Sequence, residues 1–217
     1  MRKLVTSTFV TLDGVMQAPG GPEEDPTGGF QHGGWSVTYW DDAMGRAMGE
    51  AMAVPYDLLL GRRTYEIFAA HWPYVTDDPA AASLNAAHKY VASRTLDRAA
   101  WGPATLLRDV PAEVARLKAS DGVELQVHGS ADLIGTLLRH DLIDELRVWT
   151  IPLVVGGGKR LFGDGAAPGN LELVASSVST TGVIMATYRR AGAIAYGSFA
   201  LAEPTPEETA RRRRLDG

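Results

Sequence analysis

The stretch Leu58-Leu59-Leu60-Gly61-Arg62-Arg63-Thr64-Tyr65-Glu66 constrains the fold more than any other part of the chain. A short apolar run that stops at glycine reads as a buried strand, and the residues after the glycine read as a helix led by two arginines and a threonine. The first N–H groups of a helix lack intrahelical partners and carry the positive end of its dipole. A phosphate can dock there while Arg62, Arg63 and Thr64 close around it. Taken alone, the same letters also fit a plain strand end with solvated arginines behind it.

The design recurs. Lys89-Tyr90-Val91-Ala92 runs into Ser93-Arg94-Thr95, and the strand expected at 123–127 runs into His128-Gly129-Ser130-Ala131-Asp132-Leu133-Ile134. In an α/β sheet, ligands collect beyond the carboxyl ends of parallel strands, where helix starts point into the crevice. Gly129 would let backbone come close to a pyrophosphate, and Ser130 can cap its helix or bond a phosphate oxygen.

Further strands are expected at 3–10 and 104–107, with helices at 37–53, 62–71, 80–87 and 111–120. Trp40, Met44, Met48 and Met52 recur at i, i+4 as a packing stripe on the first helix. The late segments 145–152, 171–178, 183–190 and 193–199 have strand composition without intervening helices. The sheet is therefore expected to finish antiparallel, giving a mixed α/β sheet. The apolar run 146–153 reads either as an internal strand or as part of a subunit contact.

Length and composition bound the rest. With 217 residues, 45% hydrophobic and 22% charged, one domain over 1–200 is expected, and after it a polar, disordered tail at 201–217 that carries Arg211 to Arg214. A net charge of −5 argues against a broad nucleic-acid surface. The absence of cysteine removes disulfides, thiolate metal sites and cysteine nucleophiles, and no metal is expected. No run approaches the length of a membrane span and the N-terminus lacks a leader profile, so a cytoplasmic protein is expected.

Two loops draw attention. Thr11-Leu12-Asp13-Gly14-Val15 ends the first strand in an Asp-Gly turn. Residues 17–35 form a long loop, rich in glycine and proline, that is expected to cover a site with Phe30, His32 and Trp35 among its members. The turn Gly156-Gly157-Gly158-Lys159-Arg160 is not a Walker loop, because arginine stands where a hydroxyl residue is required, and no Gly-x-Gly-x-x-Gly comes after the first strand.

The Leu12-Asp13-Gly14 turn, the Gly61 to Glu66 junction, Ser93-Arg94-Thr95, Gly129-Ser130-Ala131-x-Leu133-Ile134, and Pro152 with the 156–162 turn, in that order and spacing, resemble the dihydrofolate reductase superfamily. The closer likeness is to the reductase domain of riboflavin biosynthesis and its stand-alone bacterial relatives. The resemblance covers roughly residues 3–190. It implies a three-layer, mostly parallel sheet with antiparallel C-terminal strands, flanked by helices, and NADPH extended across the strand ends.

By the same resemblance, Gly61, Arg62, Arg63 and Thr64 would hold the 2′-phosphate and pyrophosphate. Ser93 and Arg94 would lie beside the adenosine, and Gly129, Ser130, Ala131 and Leu133 at the diphosphate turn. Gly14 and Val15 would border the nicotinamide. Planar guanidinium groups suit NADPH over NADH, since they bind the additional phosphate bidentately. Asp41 or Asp13 would orient the substrate, with Trp35, Trp40 and Tyr65 as apolar walls, although Trp40 also reads as core and Asp13 as a turn-former.

The function implied is an NADPH-dependent reductase of a small pyrimidine- or pterin-like heterocycle, similar to 5-amino-6-(5-phosphoribosylamino)uracil reductase, working as a homodimer. The competing expectation is a non-catalytic protein that binds NADP or another small ligand on the same fold.

Overall fold

A computed structural model describes residues 1–163 and 166–215. In chain order the elements are β1 (Leu4–Thr11), α1 (Asp42–Ala53), β2 (Tyr56–Gly61), α2 (Arg62–His71), α3 (Pro79–Ala86), β3 (Lys89–Ala92), β4 (Ala104–Leu107), α4 (Val110–Ala119) and β5 (Glu124–Val127). They continue with α5 (Ala131–Arg139), β6 (Glu145–Ile151), β7 (Leu171–Val178), β8 (Ile184–Arg190) and α6 (Pro206–Arg213).

The eight strands form one sheet in the order β4-β3-β2-β5-β1-β6-β8-β7. The first six are mutually parallel, and β8 and β7 close the sheet antiparallel. Side chains alternate across it. Leu59 joins the core formed with Val114 of α4 and Ile134 and Leu137 of α5, while Leu58 and Leu60 join Tyr65 of α2 and Leu84 of α3 on the opposite face. Full burial of Leu58, Leu59 and Leu60 explains why these three consecutive residues of β2 are all apolar: helices cover both faces of the strand. The 146–153 run is mainly the interior strand β6, between β1 and β8, with Leu146 and Ile151 fully buried.

Three local expectations are corrected. The first helix begins at Asp42, preceded by a separate 3-10 turn at Val37–Tyr39, because the Asp41 carboxylate accepts from Met44 N at 2.9 Å and sets the start there. Trp40 thus lies before the helix and is 46% exposed, whereas Met44 is fully buried.

Residues 193–199 form no strand, since β7 already ends the sheet at that margin and the segment pairs with nothing; Tyr196 and Phe199 are exposed. In the C-terminal tail, α6 forms where disorder was expected. Thr205 Oγ1 accepts from Glu208 N at 3.2 Å, and Glu208 pairs with Arg211 and Arg212 one turn on, which supports a helix that buries none of its residues.

Candidate functional site

The carboxyl ends of the parallel strands open into one cavity of about 1500 Å³. Turns 61–64, 93–95 and 128–131 all line it, so the three junctions converge. Gly61 N donates to Gly129 O at 3.1 Å, which sets the starts of α2 and α5 side by side. Only glycine fits either position. A Cβ at Gly61 would fall on the Ser130 hydroxyl and lie 3.0 Å from Ser130 N, and one at Gly129, where φ is +158°, would lie 2.7 Å from Thr64 Oγ1.

The capping pattern separates these helices from the rest. Asp41, Asp78, Asp109 and Thr205 cap α1, α3, α4 and α6 through side-chain oxygens. The starts of α2, behind Gly61, and α5, behind Ser130, have no side-chain cap. Their first-turn N–H groups stand where the positive dipole ends can meet an anion.

Cationic groups frame the same place. Arg62 spans two turns, donating from Nε to Glu66 at 2.8 Å and from Nη1 to Thr95 Oγ1 at 2.7 Å. Arg63 Nη1 donates to Thr27 Oγ1 at 3.1 Å, and Arg94 is exposed at the rim. The 93–96 turn is fixed internally: Ser93 Oγ accepts from Leu96 N at 2.9 Å, while Arg108 donates to Ser93 O and Leu96 O, both at 2.7 Å.

The long loop supplies the facing wall, residues 17–25. Gln17 Nε2 donates to Asp25 O and Thr27 O, both at 2.9 Å, and Trp35 Nε1 donates to Gln17 O at 2.8 Å. Lys159 pairs with the Asp25 carboxylate. Glu24 Oε2 accepts from Gly20 N at 2.6 Å and Gly21 N at 3.1 Å; burial holds its carboxyl above the ordinary range despite those bonds. Phe9, Met16, Phe68 and Trp72 add an apolar part to the lining. Cationic helix starts beside an apolar floor can hold phosphates at one end and a flat ring at the other.

A family model of the RibD C-terminal domain matches residues 2–185. The chain belongs to the RibD C-terminal domain family. Protein YyaP of Bacillus subtilis (strain 168), itself uncharacterized, is 26% identical over 191 residues, covering 86% of this chain and 94% of YyaP. Among solved structures, a putative riboflavin biosynthesis protein from Shewanella sp. PV-4 superposes with a TM-score of 0.59 at 23% identity, over 88% of this chain and 99% of that one. Dihydrofolate reductase from Enterococcus faecalis, complexed with NADP(H) and RAB-propyl, gives 0.56 at 18%, over 87% and 96%. A pyrimidine reductase-like protein from Corynebacterium diphtheriae gives 0.57 at 12%, over 88% and 92%. The sheet and its flanking helices thus have the fold seen in dihydrofolate reductase.

Within this RibD C-terminal-type domain, Gly61, Arg62, Arg63, Thr64, Ser93, Arg94, Gly129, Ser130, Ala131 and Leu133 all line the cavity. Gly14 and Val15 do not. Val15 is fully buried in an antiparallel bridge with Arg160, and after Phe9 the chain returns to the cavity at Met16.

The two carboxylates expected to orient substrate also lie outside the cavity lining. Asp13 accepts from Thr11 Oγ1 at 2.6 Å and from Gly156 N at 2.9 Å, bonds that hold its carboxyl below the usual range and tie the first turn to the glycine turn. Asp41 caps α1 and accepts from Thr180 Oγ1 at 2.6 Å and Thr180 N at 2.7 Å. The Thr180 hydroxyl, with the cap, lowers its pKa to about 2. In this geometry both carboxylates serve as fasteners.

The expected aromatic walls are likewise displaced. Trp35 is buried in the core against Met44. Tyr65 accepts from Trp101 N at 2.7 Å, and Trp40 stacks on Trp149 with centroids 6.3 Å apart. Phe9, Phe68 and Trp72 line the cavity in their place. Their signal was present in the letters: Ser7 and Phe9 share one face of β1 by alternation, and Phe68 and Trp72 stand at i, i+4 after the arginine-led start of α2. Among the described residues, no group of three or more His, Asp or Glu side chains is placed to hold a metal ion, and no helix is long and apolar enough to cross a membrane.

Proposed function

We propose that this domain is an NADPH-dependent reductase that delivers a hydride to a small pyrimidine- or pterin-like heterocycle, in a reaction similar to that of 5-amino-6-(5-phosphoribosylamino)uracil reductase. One observation carries the reading: of the three helices that start on the cavity, α4 is capped by Asp109 while α2 and α5 lack side-chain caps and abut through Gly61 and Gly129, with Arg62 and Arg63 beside them. Two adjacent uncapped starts suit a diphosphate, and the guanidinium groups suit an additional 2′-phosphate. Family membership and the NADP(H) complex of the Enterococcus enzyme support the same cofactor.

NADPH, when bound, supplies the hydride. The chain's own contribution is to bind the phosphates at 61–64 and 129–131 and the adenosine beside Ser93 and Arg94, and to hold the reacting ring against the apolar lining of Phe9, Met16 and Phe68. Fluorescence titration tests the cofactor: NADPH should bind at least tenfold more tightly than NADH, about the value of one charged hydrogen-bond pair. Equal binding of the two sinks the NADPH assignment. Consumption of NADPH with the ribosylaminouracil substrate, or with a dihydropteridine, separates an enzyme from a binding protein.

A homodimer belongs to the same proposal, with a cytoplasmic location. All eight residues of β7 are exposed, Leu173 by 55% and Val178 by 66%, on a sheet margin where a second copy could pair. Sedimentation at micromolar concentration tests it, and a monomer there removes that part.

A further inference from the structure

Every residue of β7 is exposed although β8 holds one of its edges, so neither face of this strand is packed. Register puts Leu173 and Val178 of β7 on the face that carries Tyr188 and Ile184 of β8 and Leu146 and Val148 of β6. That face is core at Leu146 and Val148, which share a cluster with Ile134 and Leu137 of α5. It is bare at Leu173, Val178 and Ile184. Among the described residues, none from β7 joins a core cluster. An apolar stripe that runs on past the helix covering it is a surface suited to a further partner.

The chain carries a second bare element. Residues 191–215 include none that is buried, and Tyr196, Phe199 and Leu201 are each at least 70% exposed. This arm leaves the sheet at the start of β7, where Ala191 N donates to Asn170 O at 2.9 Å and Asn170 N donates to Gly192 O at 3.2 Å. From there, residues 191–205 reach up to about 50 Å when extended, more than the length of an eight-residue strand. Stripe and arm are both apolar, belong to one chain, and are left unpacked by it.

Area says what covers them. The chain exposes 12403 Å², about 2,700 Å² more than the roughly 9,700 Å² of a compact monomer of 23.2 kDa. Obligate homodimers remove about 1,000–2,500 Å² from each copy, so the surplus is of the size that a second copy takes up.

We infer that residues 193–201 form a strap that crosses to a second copy of this chain and packs Tyr196, Phe199 and Leu201 on that copy's bare β7–β8 face, the exchange being reciprocal about a two-fold axis. The inference deepens the homodimer reading and rests on it, and it moves the contact from the edge of β7 to its face. The register of β7 slips between Leu173 and Ala175, and a bulge of this kind turns an edge away from further strand pairing. The apolar letters of 193–199 thereby gain the packing that a single chain does not give them.

The test has two parts, both on the full chain. Sedimentation velocity compares the native protein with the double variant Tyr196→Ser, Phe199→Ser from nanomolar to micromolar concentration. The native protein should be a dimer at micromolar concentration, and the variant's dissociation constant should rise at least about hundredfold, because two large apolar side chains leave the contact. Both residues are exposed in the single chain, so the variant should keep its native circular dichroism. The chain has no cysteine, which makes the second part clean. Leu173→Cys and Phe199→Cys proteins are co-expressed and oxidised with copper phenanthroline, and mass spectrometry should find a disulfide joining position 173 of one chain to position 199 of the other.

A native monomer at micromolar concentration would overturn the inference together with the homodimer reading. A dimer indifferent to the two serines, or one that forms no link between positions 173 and 199, would overturn the strap and leave the dimer standing. A link formed within one chain at nanomolar concentration, when both cysteines are placed in it, would show that the arm covers its own sheet. Binding to phosphatidylglycerol vesicles that the two serines abolish would assign the aromatic residues to a lipid surface. Either result defeats the inference.

Discussion

The side-chain carbonyl of Gln17 accepts a hydrogen bond from the backbone N–H of Lys159 at 3.0 Å, joining the long loop to the glycine turn across 142 residues of sequence. The same buried amide donates to two loop carbonyls, those of Asp25 and Thr27. Gln17→Ala strands all three backbone groups and should cost about 1–3 kcal/mol. Urea unfolding measures the loss, and protease cleavage within 18–30 should speed up, because the loop loses its internal anchor.

Arg62 and Arg63 stand at an uncapped helix start, and neither lies in the hydrophobic core. On the proposed reading, in which both guanidinium groups face the 2′-phosphate, replacing both with alanine should lower affinity for NADPH roughly ten- to hundredfold while changing NADH affinity less. Parallel titrations of the two nucleotides check this. An equal loss for both would place the arginines on the diphosphate alone.

Asp41 is a fastener with a measurable titration. Its folded pKa of about 2 lies below its ordinary value of 3.8, so the stability it contributes is present above that value and drains away as the pH falls toward 2. Asp41→Asn should therefore lose stability near neutral pH and show a flatter acid limb between about pH 4 and 2. Chemical denaturation at a series of pH values reads both effects. The bound-nucleotide affinity should stay at its native value, since Asp41 does not line the cavity.

Lys89 is fully buried at the start of β3, with its ammonium 4.3 Å from the Trp101 ring and 2.6 Å from Asn85 O. Desolvation lowers its pKa from 10.5 to about 8. Between those two values the unfolded chain holds a proton that the folded one has released, so stability should rise as the pH climbs from about 8 toward 10.5. Lys89→Met should erase that rise, and unfolding free energies measured across the window decide it.

Much of the site was legible because it depends on local order: a strand, a glycine, then a polar or cationic helix start. Gly61, Ser93 and Gly129 announce their turns through neighbours in sequence, and parallel pairing does the rest by lining up the strand ends. What was not legible depends on distant partners. Asp13 and Asp41 look like site carboxylates until Gly156 and Thr180 arrive from more than a hundred residues away and take up their oxygens. Segment 193–199 has the right letters for a strand, but strand composition carries no guarantee of a neighbour to pair with. The α6 helix was readable after all, since Thr205 and Glu208 stand three apart as a capping box requires.

The bare starts of α2 and α5 make the protein's melting temperature a gauge of its cargo. An anion that settles there finishes two helices the chain itself leaves open, so each increment of occupancy is also an increment of resistance to heat. A thermal-shift screen of phosphorylated compounds would then rank them by how completely each one supplies the ends that the sequence omits.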